Sequence, residues 1–150
     1  MSKSEVPRAE DRLGRRVKEA HAALRSAMDR ALISVGITVP QYVCLTMLAQ
    51  GGQHSKAELA RAVFVTRQTM TVLLDGMEAR GHVARVDVPP TTRAVPYLVT
   101  AEGLRLLAEA EAKISRVEQA MTSDLTAGEE EVLGQLLARC AQNVRAYEAD

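Results

Sequence analysis

"FVTRQTMTVLLDGMEARG", residues 64–81, opens with hydroxyl, guanidinium and amide side chains and then settles into an apolar pattern of helical period. Met70, Leu73, Leu74 and Met77 recur at steps of three and four, which places them on one face of a helix. Thr66 stands where an N-cap side chain accepts from the first free N–H groups, and Gly81 where a left-handed residue ends a helix at least cost. The stretch therefore predicts a helix capped by Thr66 and running to Arg80. Its apolar face packs inward, and its first turns present Thr66, Arg67, Gln68, Thr69 and Thr71 to something polar.

Upstream, Ser55 and Glu58 have capping-box spacing and predict a helix of about two turns over 55–62, joined to the first by the tight turn "AVFV". Before it, Thr38 and Gln41 form another capping box, opening an uncharged core helix over about 39–50 that includes Tyr42, Val43, Leu45, Met47 and Leu48. Leu13, Val17, Ala20, Leu24, Ala27 and Ala31 predict a long amphipathic helix from about 9 to 33, ended near Gly36. Downstream, "HVARVDV" and "VPYLVT" are strand-like runs, and Pro89 and Pro90 put the turn of a two-stranded hairpin between them. Thr100 caps a helix over about 101–121. A third capping box, Thr126 with Glu129, starts a last helix striped by Val132, Leu133, Leu136, Leu137, Cys140 and Val144.

Two short helices joined by a tight turn and followed by a hairpin make a winged helix-turn-helix, whose second helix enters a DNA major groove. The expected fold is thus mainly α with a small two-stranded β-wing. It divides into an N-terminal helix (1–36), a winged DNA-binding lobe (37–100) and C-terminal helices (101–150), the two terminal parts being dimerisation helices by the family resemblance that follows. The polar cluster then has a chemical purpose. Arg67 can pair with guanine O6 and N7, Gln68 with adenine N6 and N7, and the threonines with phosphate or a thymine methyl. Ser55 and Lys56, at the head of the shorter helix, and Arg93, near the wing tip, complete the candidate DNA contacts.

From Gly36 to Gly103 the sequence resembles the MarR family of bacterial transcription regulators. The segments "GITVPQYVCLTMLAQ", "SKAELARAVFVTRQTMTVLLDGMEARGHVAR" and "LVTAEG" fall in that family's order. The resemblance implies a homodimer with intertwined terminal helices on a pseudo-palindromic, double-stranded operator. It further implies repression until a small effector, phenolic or carboxylate, binds between the dimer helices and the DNA-binding lobe. On that ground His21, Arg15 and Arg16 are the candidate effector-binding residues. The chain also departs from the family pattern. The wing aspartate of D-x-R is absent from "TTR" (91–93), so a less rigid wing is expected; Val72 and Gly76 stand where relatives often carry arginine. Phe64 replaces the usual turn glycine and is read as a packing residue.

Composition bounds the alternatives. The 150 residues are 47% apolar, enough for a core, and 19 basic side chains balance 19 acidic ones. The balance hides a gradient: residues 1–36 sum to +3, 53–105 to +2 and 106–150 to −5. The charged N-terminus and the lack of a long apolar run point to a cytoplasmic protein with no membrane partner. Cys44 and Cys140 lie far apart in helical patterns and read as buried hydrophobes. His21, His54 and His82 fall on separate elements, and "GEEEV" (128–132) suits a helix N-terminus, so no metal or cofactor is expected. No catalytic constellation is present, and the chain does not read as an enzyme. Two other readings remain: a winged-helix protein-interaction module that does not bind DNA, and a thiol-based redox regulator.

Overall fold

The computed structural model describes residues 12–148. Expectations for residues 1–11, including the start of the first helix, lie outside these. Eight elements follow in order: α1 (Leu13–Ile33), α2 (Val39–Ala49), α3 (Lys56–Ala62), α4 (Arg67–Ala79), β1 (Val83–Arg85), β2 (Tyr97–Val99), α5 (Ala101–Met121) and α6 (Ala127–Glu148). The chain forms two compact units, one ending at Val117 and the other beginning at Glu118. The fold is mainly helical with a small antiparallel wing.

The caps set the helix starts. Thr38 with Gln41 and Ser55 with Glu58 each form the full reciprocal box, and Thr126 exchanges the same two bonds with Glu129. Each box satisfies two backbone donors that a helix N-terminus leaves open. The carboxyls of Glu58 and Glu129 are held below the usual range, first by the backbone N–H they accept from Ser55 and Thr126. Thr66 caps α4 by accepting from the Thr69 N–H at 3.1 Å. Gly36, Gly51 and Gly81 end helices with φ of 81°, 80° and 76°, where a side chain would be strained.

The core of the first unit gathers Leu32, Ile37, Leu45, Leu59, Met70, Leu74, Met77, Val83, Tyr97, Leu106 and Ile114, among others. Cys44 is fully buried there, and its thiol is pushed up to about 12 by desolvation, which suppresses the reactive thiolate. Cys140 departs from expectation: it is exposed in the protomer, on a helix none of whose described side chains is buried. The wing is shorter than the sequence suggests. Val83, Ala84 and Arg85 pair with Val99, Leu98 and Tyr97, and Pro96, lacking an N–H, limits continuation to one bond from the Val86 N–H to its carbonyl. Beyond the tip the chain returns to α3: Ala94 bridges to Ser55, and the Val95 N–H donates to the His54 carbonyl at 2.8 Å.

Candidate nucleic-acid interface

That return strand closes the third side of a concave surface. Ser55, Lys56 and Ala57 come from the start of α3, Arg67, Gln68 and Thr71 from the first turns of α4, and Arg93 from the wing. Six of the eight predicted DNA contacts thus line one depression. Among the described residues, the Lys56, Arg67 and Arg93 side chains have no hydrogen-bond or ion-pair partner, whereas Arg15, Arg25, Arg85 and Arg105 are each held by a carboxylate. Three uncompensated cations around one hollow favour a polyanion. The Ser55 hydroxyl oxygen accepts from the Glu58 N–H and its proton is shared with the Glu58 carboxylate, so Ser55 serves the cap as well as the edge of the hollow.

The remaining predicted contacts separate from the hollow. Thr66 and Thr69 do not line it; the Thr66 hydroxyl donates to the Thr69 hydroxyl at 3.0 Å while accepting from its N–H, so both serve the cap. Thr71 lines the hollow but donates its hydroxyl to the Arg67 carbonyl at 3.1 Å. It therefore turns no free donor toward a ligand, only a methyl group and oxygen lone pairs.

The wing has a brace that the sequence did not reveal. Arg85 of β1 donates to Glu78 of α4 and to the Tyr97 hydroxyl, lies over the Tyr97 ring 4.8 Å from its centroid, and Tyr97 donates to Asp75 of α4 at 3.0 Å. Burial and the hydrogen bond to Asp75 raise the Tyr97 pKa, which keeps the phenol protonated and donating. At the tip, Thr92 is held locally: its backbone N–H donates to Pro89, and its hydroxyl accepts from the Ala94 N–H. These bonds shape the turn but do not reach Arg93, which among the described residues keeps no brace in place of the aspartate absent at position 91. The signal available beforehand was Asp75 and Glu78 on one helical face opposite a register pair of Arg85 and Tyr97.

A second cleft, of about 370 Å³, lies between α1, α2 and the end of α3. Leu24, Met28, Val39, Val43 and Val63 make it largely apolar, with His21 and Arg25 at its polar edge. Of the predicted effector residues, the structure brings His21 here but not Arg15 or Arg16; Arg15 instead pairs with Glu19 at 3.3 Å. Arg25, one turn beyond His21, was legible from that i, i+4 spacing and was missed. Phe64 reaches the same cleft but does not pack as expected: it is 93% exposed, with φ at 57°.

The two short helices, the returning strand and the braced hairpin define a winged helix-turn-helix protein. The MarR family model matches residues 35–94. The HTH-type transcriptional repressor Rv2887 of Mycobacterium tuberculosis is 35% identical over 127 residues, covering 85% of this chain and 91% of that one. This chain belongs to the MarR family. It is also similar to two solved structures of Rv2887. The complex with salicylic acid superposes with a TM-score of 0.70 at 35% identity, covering 86% of this chain and 96% of that one. The complex with DNA superposes at 0.69 and 33%, covering 86% and 97%.

Proposed function

We propose that this chain is a cytoplasmic, ligand-responsive transcriptional repressor, and not an enzyme, that binds a pseudo-palindromic operator as a homodimer. The observation that carries the reading is the hollow itself, with Lys56, Arg67 and Arg93 unpaired around the exposed head of α4. The relative crystallised with DNA supports the same role. In this reading α4 lies in the major groove, with Arg67 on a guanine and Gln68 on an adenine, while Ser55, Lys56 and Arg93 hold phosphates. Residues 1–36 and 101–150 supply the dimer contacts, which set two recognition helices about one DNA turn, roughly 34 Å, apart.

For the effector we propose the apolar cleft, with His21 as a hydrogen-bond partner and Arg25, exchanging Asp29 for the ligand, as the counter-charge to a small aromatic carboxylate or phenolate. Its apolar walls and polar edge suit such a ligand, and a relative binds salicylic acid. Occupancy acts by population shift: a ligand that binds better when the recognition helices are mis-spaced lowers operator affinity by that preference. The test is anisotropy titration against duplexes enriched by the protein from a random library, across a range of salt. Specific binding should fall steeply with salt, and Arg67→Ala should lose about 1–3 kcal/mol on selected duplexes and relax their preference. Equal, weak binding of every duplex by the wild-type protein would refute the operator reading.

A further inference from the structure

Val72 is not accounted for by the contacts above. Its side chain is 71% exposed on α4, one turn beyond Gln68 and opposite the buried stripe of Met70, Leu74 and Met77. Gly76 lies one turn further along the same outer face. A Cβ there would meet nothing within 4 Å, so no contact inside the described chain requires glycine, although glycine is among the poorest helix formers. The outer ridge of α4 thus combines a polar reader, a lone apolar side chain and a deliberately low step. Asp75, the carboxylate beside this ridge, is drawn to Tyr97 and faces Arg85 at 3.6 Å, which offsets its charge toward an approaching polyanion.

A major-groove floor matches that order of groups. It offers hydrogen-bonding edges interrupted by one kind of apolar projection, the thymine C5-methyl. Resting on the operator reading above, we propose that Val72 is a specificity-determining residue that packs on a thymine methyl next to the base read by Gln68. Gly76 keeps the ridge low, so that the sugar-phosphate backbone approaches the third turn closely. A side chain as long as arginine at position 72 would reach past the methyl to phosphate or guanine. Valine exchanges that reach for a contact with the methyl itself.

The test uses duplexes enriched from a random library by the full-length wild-type protein, with each thymine replaced in turn by deoxyuridine. That change keeps the base pair and removes only the methyl. Replacement at one symmetry-related pair of positions should weaken wild-type binding about fourfold for each methyl, the worth of burying one such group. Val72→Ala should bind the deoxyuridine and thymine duplexes equally, and should no longer select thymine there. Gly76→Ala should raise the melting temperature, weaken every duplex alike and keep the thymine preference. If Val72→Ala retains the wild-type response to deoxyuridine, this inference fails while the operator reading stands. If the wild-type protein enriches no duplex, both fall together.

Discussion

At the scale of single residues, Phe64 is the clearest departure between pattern and structure. The turn from α3 to α4 needs a left-handed residue: the Phe64 N–H donates to Arg61 and the Val65 N–H to Ala60, which closes the end of α3. An L-residue held there costs about 1–2 kcal/mol, and a ring that is 93% exposed recovers little of it by burial. Phe64→Val should therefore destabilise the protein by a further ~1 kcal/mol, since a β-branched side chain tolerates positive φ least. Phe64→Gly should leave stability level or raise it by up to about 1 kcal/mol, the strain relieved being partly offset by glycine's chain entropy. Urea denaturation distinguishes the two, and equal stability for both variants would mean that the turn is not strained. The turn was legible as a turn, but the fate of the ring was not. Whether an aromatic residue packs or projects depends on a backbone angle that residue type leaves open. Thr66, Thr69 and Thr71 teach the same lesson. Their polarity was visible in the sequence, while the hydrogen bonds that occupy their hydroxyls follow from local helix geometry.

At the scale of elements, helix starts were legible because capping boxes are local, whereas the wing's fastening was not. The contact of Asp75 and Glu78 with Arg85 and Tyr97 needs the hairpin register and the α4 face together, and neither run shows it alone. The junction of the wing with α5 is similar. The Thr100 hydroxyl accepts from the Gly103 N–H at 3.0 Å and donates to the carbonyls of Gly81 and His82, so one side chain ties three elements. Gly103 packs so closely that a Cβ would lie 2.0 Å from the His82 carbonyl oxygen and 2.8 Å from Val99. Gly103→Ala should destabilise by about 3 kcal/mol, because backbone must move to admit the methyl; a melting temperature within error of wild type would refute this packing. His82 adds a pH dependence at the same point. Its pKa is lowered, first by desolvation and then by Arg80, and its buried Nδ1 has no partner. A depressed histidine binds protons more readily unfolded, so its stabilising share is complete above about pH 6.5 and is lost as pH falls through the lower folded value. His82→Gln should accordingly lose less stability than wild type between neutral and mildly acidic pH, as measured by thermal melts at each pH.

At the scale of the whole molecule, the surface carries more apolar area than a solitary chain needs. On α6, Val132, Leu133, Leu136, Leu137 and Val144 are 43–56% exposed, and α1 leaves Leu13 at 65% and Val17 at 41%. These are the stripes that the sequence pattern marked on the helices expected to dimerise. The periodicity was read correctly, but a single chain's sequence does not say whether a stripe packs on its own core or on another copy. A 22-residue helix that leaves its apolar stripe exposed, with no buried described side chain, has a face still to be packed, because most helical stability in proteins comes from covering an amphipathic face. The proposed homodimer provides that cover, and it makes association, folding and operator binding one linked equilibrium. Leu136→Asp should therefore halve the mass seen by sedimentation equilibrium, at concentrations where the wild-type protein sediments as a dimer. The same variant should flatten the salt dependence of DNA binding toward half the wild-type slope, since each lost phosphate contact removes about 0.9 from it. Should the variant unfold instead, the wild-type melting temperature gives an independent reading, rising with protein concentration for a dimer and staying constant for a monomer. A monodisperse Leu136→Asp dimer with an unchanged salt slope would place the interface elsewhere than on α6.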